Sequence, residues 1–149
     1  MINGFEKETK PLTENELDKV VPAVVEILKT KRGSVSAIKN FEISDLLFKD
    51  NNLVCVGERI RAVIHYIRVN HLIKCLVASS KGYFIEPDIK KLKDYENSLW
   101  GREASIQNVR LALHQNIKEV ENQAGGCKFS DIKTSNNKFY REYQETIFS

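Results

Sequence analysis

The run 57-GERIRAVIHYIRVNHLIKCLVASSKGYFI-85 carries the reading that decides the fold. In its first half Ile60, Val63, Ile64 and Ile67 recur at i, i+3, i+4 and i+7, the spacing that gathers apolar side chains along one face of a helix. At 100° per residue, Arg61, His65 and Arg68 fall together on a flank clear of that stripe. Past Asn70 the period changes. IKCLVAS is rich in β-formers, SSKG is a turn closed by glycine, and YFI resumes the strand pattern, so a β-hairpin is predicted.

Upstream, Thr13-x-x-Glu16 reads as a capping box that opens a helix from about Glu14 to about Lys31. Leu17, Val20, Val21, Val24, Ile27 and Leu28 supply its apolar face. Pro22 lies inside it and removes a hydrogen bond, so a kink or a late start is expected there. After Gly33, SVSAIKNF suits an extended link or a brief strand. ISDLLF then fits two turns of helix from about Glu42, closed by the Asp50-Asn51-Asn52 loop. Helix, short helix, helix, hairpin is the order of a winged helix-turn-helix. The fold class expected is mainly α with a small β-hairpin (α+β), with a loose arm at 1–12, the winged-helix domain at 13–87, a long helix at 88–121 and a tail at 122–149.

Charge is concentrated on the deciding stretch. Between Gly57 and Gly82, Arg59, Arg61, Arg68, Lys74 and Lys81 oppose Glu58 alone, a balance of +4 against +3 for the whole chain, so the remainder is net negative. Such focusing is the electrostatic footprint of a nucleic-acid face. A helix fits the major groove and reads base edges with its first turns, which makes Glu58, Arg59, Arg61 and Ala62 the candidates for base contact. Arg68, Lys74 and Lys81 are placed to meet phosphates, with His65 on the same flank. The competing reading is a solvated helix face whose bases pair with acids elsewhere in the fold. Gly82 is expected to need positive φ, and Tyr83 to pack its ring beneath the hairpin.

The same stretch, followed by KDYENSLWGREASI, resembles the small winged helix-turn-helix proteins of bacteriophages and prophages. In these a G-x-x-[IV]-R helix precedes an SSKGY hairpin and a helix bearing S-L-x-x-R. The matching positions are Gly57, Ile60, Arg61, Ser79, Ser80, Lys81, Gly82, Tyr83, Ser98, Leu99 and Arg102, and the resemblance covers residues 35–106. It implies the fold and a phage or mobile-element setting rather than a specific activity.

The long helix opens at Pro87-Asp88 and carries Leu92, Leu99, Ile106, Leu113 and Val120 at intervals of seven, the repeat that keeps an apolar seam on a partner helix. A homodimer through this seam would pair two basic faces; the alternative is a helix packed on its own domain. A short terminal helix from about Asn137 is also expected.

No P-loop, GxGxxG, HExxH or GxSxG is present, so an enzyme is not expected. His71-x-x-x-Cys75, with Cys55 and His65, lacks the close ligand pairing of zinc fingers, and Cys55 and Cys75 stand in apolar strand-like contexts that suit buried thiols. Neither a metal nor another cofactor is expected, and His114 reads as a surface or packing residue. Cys55, Cys75 and Cys127 are too few for a disulfide framework and read as reduced thiols. With no bilayer-spanning apolar run and no secretory leader pattern at MINGFEKETK, the expectation is a cytoplasmic protein of a bacterial host cell, away from membranes. Double-stranded DNA is the expected partner, and a host protein bound through the same scaffold is the alternative.

Overall fold

The computed structural model describes residues 10–123. Most of the expected N-terminal arm, nearly all of the tail, its terminal helix and Cys127 lie outside the described residues. The chain divides into two compact units, the first ending at Leu99 and the second beginning at Trp100. The opening turns of the long helix therefore belong with the first unit.

That unit is a mainly helical α+β arrangement with one two-stranded antiparallel sheet. The capping box forms as its sequence requires: Thr13 N donates to Glu16 Oε1 at 3.0 Å and Glu16 N to Thr13 Oγ1 at 3.2 Å. The helix it opens is not a plain α-helix. A π turn, Glu16–Val20, runs into α1, Val21–Lys29. Pro22 has no N–H to give, and its ring would collide with the carbonyl four residues back in a regular helix, so the ladder widens just ahead of it. The wider turn also shifts the helical phase. Leu17, expected on the apolar face, is 36% exposed, and Glu16 turns inward in its place while Val20, Val21, Val24 and Leu28 stay buried.

The segment after Gly33 divides its residues among three structures. Ser34–Ser36 make one 3-10 turn, Ile38 pairs with the hairpin, and Asn40 already belongs to α2, Asn40–Asn51. Glu42 caps that helix by accepting from Lys39 N at 2.8 Å, and Asn52 closes it in the left-handed region at φ 53. The helix thus starts before the expected Glu42, because the carboxylate that caps it sits three residues inside. α3, Glu58–Val69, buries Ile60, Val63, Ile64 and Ile67 as their spacing dictates.

Strands β1, Leu76–Ser79, and β2, Gly82–Ile85, pair with Leu76 opposite Ile85 and Ser79 opposite Gly82. Ile38 and Tyr83 exchange two backbone bonds, 3.0 and 2.8 Å, and Gly33 N donates to Ile85 O at 2.8 Å, which stitches the link between α1 and α2 onto the outer edge of β2. The core is one cluster drawn from α1, α2, α3 and the base of the hairpin, with Val24, Leu28, Ile43, Leu47, Ile60 and Val63 wholly inside. α4, Ile89–Glu121, starts at the expected place, with Asp88 Oδ1 accepting from Lys90 N at 2.9 Å.

Candidate functional site

α3 positions the proposed contact residues because its buried stripe fixes its rotation. With Ile60, Val63, Ile64 and Ile67 inward, Arg61 and His65 are exposed. Lys74, in the loop after the helix, and Lys81, at the tip of the hairpin, are exposed as well. The hairpin tip is shaped by Ser79, whose Oγ accepts from Lys81 N at 3.1 Å.

Three of the assignments made from the sequence are altered by what the side chains touch. Ala62, a candidate for base contact, is buried, since it lies beside the apolar stripe. Arg59, another, is held inside the fold. Its Nη2 and Nε meet the two carboxylate oxygens of Glu16 at 2.6 and 2.9 Å, a forked pair in which both side chains are largely covered. Its remaining donors reach the carbonyls of Lys10 at 3.2 Å and Pro11 at 3.3 Å, tying the entry of the chain to the first turn of α3. The bond from Arg59 holds the Glu16 carboxyl below the usual carboxylate range against the opposing effect of burial, and Glu16 in turn raises the Arg59 guanidinium. Arg68, assigned to phosphates, is half-buried and donates from Nη2 to the Tyr95 hydroxyl at 2.8 Å, with its guanidinium carbon 5.7 Å from the ring centre. The same hydroxyl accepts from Ala78 N at 3.3 Å, so Tyr95 joins the start of α4 to α3 and β1.

Sequence reasoning missed both Glu16 and Tyr95. The capping box named Glu16 as a local cap only, and its ion pair depends on the phase shift of the π turn. Tyr95 stands three residues after Leu92, and nothing in the local spacing points to a partner on another helix.

The thiols differ from one another. Cys55 is buried, and desolvation pushes it up to about 11, with the Glu16 charge adding to the rise. Cys75, expected to be buried, is exposed, at φ 62, because the loop ahead of β1 turns through a left-handed residue there. Among the described residues no three His, Cys, Asp or Glu side chains group as metal ligands, and no helix is long and apolar enough to cross a membrane.

In the second unit the helix from Trp100 onward carries much of the sevenfold row. Ile106 is 69% and Leu113 55% exposed, and Val120 is half-buried. In the first unit Leu92 is half-buried, and Leu99 is 38% exposed.

Comparison of the chain with protein-family models, with curated proteins and with solved structures finds no match.

Proposed function

We propose that the chain is a winged helix-turn-helix protein that binds double-stranded DNA, laying α3 in the major groove and the β1–β2 hairpin along the backbone. The observation that carries this reading is the exposed basic set Arg61, His65, Lys74 and Lys81, contributed by α3, its following loop and the hairpin tip of one compact unit. The element order supports it, as does the pairing of Ile38 with β2, which gives the hairpin the third strand-like edge of a wing. Arg61 is the residue for base contact, and Lys74 and Lys81 are those for phosphates. Arg59 acts on the face only by holding α3 in place. The phage or prophage setting implied by residues 35–106 belongs to the same proposal, with a regulatory or accessory role.

The test is fluorescence anisotropy on labelled duplexes across a salt series. The two phosphate contacts, Lys74 and Lys81, give a slope of log K against log salt of roughly −2, at about −0.9 for each. Arg61→Ala with Lys81→Ala is expected to weaken binding at least tenfold and to flatten that slope, with the unfolding midpoint unchanged. Equal binding by parent and variant overturns the assignment of the face. A second reading, a protein-binding adaptor, is favoured by Phe41 and Phe48, seven residues apart on one side of α2 and 63% and 61% exposed. An interaction resting on those rings persists at high salt, where the DNA complex dissociates.

A further inference from the structure

We propose that α4 pairs with α4 of a second copy in antiparallel orientation, with Glu103 of each chain opposite Arg110 of the other. This pairing is independent of the DNA reading and draws only on the part of the helix from Trp100 onward. There Ile106, Val109 and Leu113 form an apolar row, and each is more than half exposed. In heptad terms Ile106, Leu113 and Val120 take one core position, while Arg102, Val109 and Asn116 take the other.

A parallel pair would stack like on like along that second row. Arg102 would face Arg102 and Asn116 would face Asn116 across a low-dielectric seam, a repulsive arrangement for the arginines. Reversing one helix removes the clash. When Ile106 lies opposite Val109 of the second copy, Arg102 lies opposite Leu113, whose side chain its aliphatic stem can cover while the guanidinium reaches water. The flanking positions then decide the register. Glu103 and Arg110 both occupy the flank beside the second core row, the position that meets its own equivalent in an antiparallel pair. In this register Glu103 meets Arg110 twice, once on each side of the two-fold axis. A slip of one heptad in one direction sets Glu103 against Glu103 at its centre while bringing Arg110 to Glu96, and in the other direction it sets Arg110 against Arg110. One register of the antiparallel pair is therefore free of like-charge contacts and its two neighbours are not, which is the selective device by which helices choose partners and alignment.

The experiment is sedimentation equilibrium on the full chain, from low to several hundred micromolar, with four samples. The parent is expected to dimerise. Glu103→Arg alone and Arg110→Glu alone each place like charges together twice, and each is expected to raise the dimer dissociation constant about tenfold. Both substitutions are on an exposed helix surface, so circular dichroism should remain that of the parent. The two single variants mixed in equal amounts restore both attractive contacts, so the mixture is expected to form a heterodimer as tightly as the parent forms its homodimer. A parallel pair would set these positions against Ser98 and Ser105 and leave all four samples alike. A parent that stays monomeric at every concentration, as when another segment of the chain covers the row, overturns the proposal. So does a dimer indifferent to both charge reversals, and so does a mixture no tighter than the single variants.

Discussion

At Gly82 the hairpin depends on the absence of a single carbon atom. The residue sits at φ 122, and a Cβ built there would stand 2.3 Å from the carbonyl oxygen of Ile38. That oxygen cannot retreat without cost, because it accepts from Tyr83 N at 2.8 Å as part of the contact that joins the α1–α2 link to β2. Gly57, at φ 53, has nothing near its missing side chain and meets only the conformational penalty. Gly82→Ala is therefore expected to destabilise the fold by roughly 3 kcal/mol or more, adding steric displacement of backbone to left-handed strain, whereas Gly57→Ala loses about 1–2 kcal/mol. Urea unfolding midpoints of the two variants check the difference; similar losses would mean that the Ile38 contact relaxes freely. A glycine at the end of SSKG was legible as a turn residue. Its close neighbour was not, since the approach of Ile38 depends on a bridge between segments far apart in sequence.

Among the elements, the first helix shows how local rules succeed and then reach their limit. Its cap, its end near Lys29 and its burial of Val20, Val24 and Leu28 all follow from residue spacing. The π turn does not, because periodicity assumes a uniform twist and cannot register one widened turn. The ion pair it creates has a definite pH signature. Glu16 has a lower pKa folded than unfolded, so its contribution is fully present above the ordinary carboxylate range and is lost as pH falls through that range toward the folded value. Glu16→Gln is expected to lower stability at neutral pH by about 1–3 kcal/mol, the range for a charge-assisted hydrogen bond in partial cover. The parent should lose this advantage over the variant between about pH 5 and pH 3. Thermal midpoints of both proteins over that interval decide it; a gap that stays constant down to pH 3 would show that the carboxylate charge contributes nothing.

For the molecule as a whole, among the described residues the clustered core residues and those packed on them all lie between Leu12 and Ile85, and Tyr95, early in α4, is hydrogen-bonded to that same unit. A chain ending at Leu99 is accordingly expected to unfold cooperatively with a midpoint within a few degrees of the full-length protein, as followed by circular dichroism. A non-cooperative transition would place part of the folding energy beyond Leu99. The sequence foretold the order of helices and hairpin and the extent of α4 because each has its own period and punctuation. The basic site was only partly legible. Helical angle separates Arg61 from the buried stripe, but it does not reveal that Arg59 and Arg68 are engaged by Glu16 and Tyr95, residues contributed by other helices.

The widened turn at Glu16–Val20 also bears on how this chain could have changed length in descent. Ahead of Val21 it holds one residue more than a regular helix would need to keep Glu16 on the same face as Val21, Val24 and Leu28. Removing Asp18, which is exposed, would leave Glu16 three, four, seven and eleven places ahead of Val20, Val21, Val24 and Leu28, the unbroken apolar rhythm of an α-helix. The shortened helix would then bring the Pro22 ring against the Leu17 carbonyl, a conflict worth about 3 kcal/mol. Loss of the residue is harmful while the proline remains and compatible with the fold once the proline is gone. An ancestor or cousin with a plain first helix should therefore lack both, and the two differences should travel as one inherited unit.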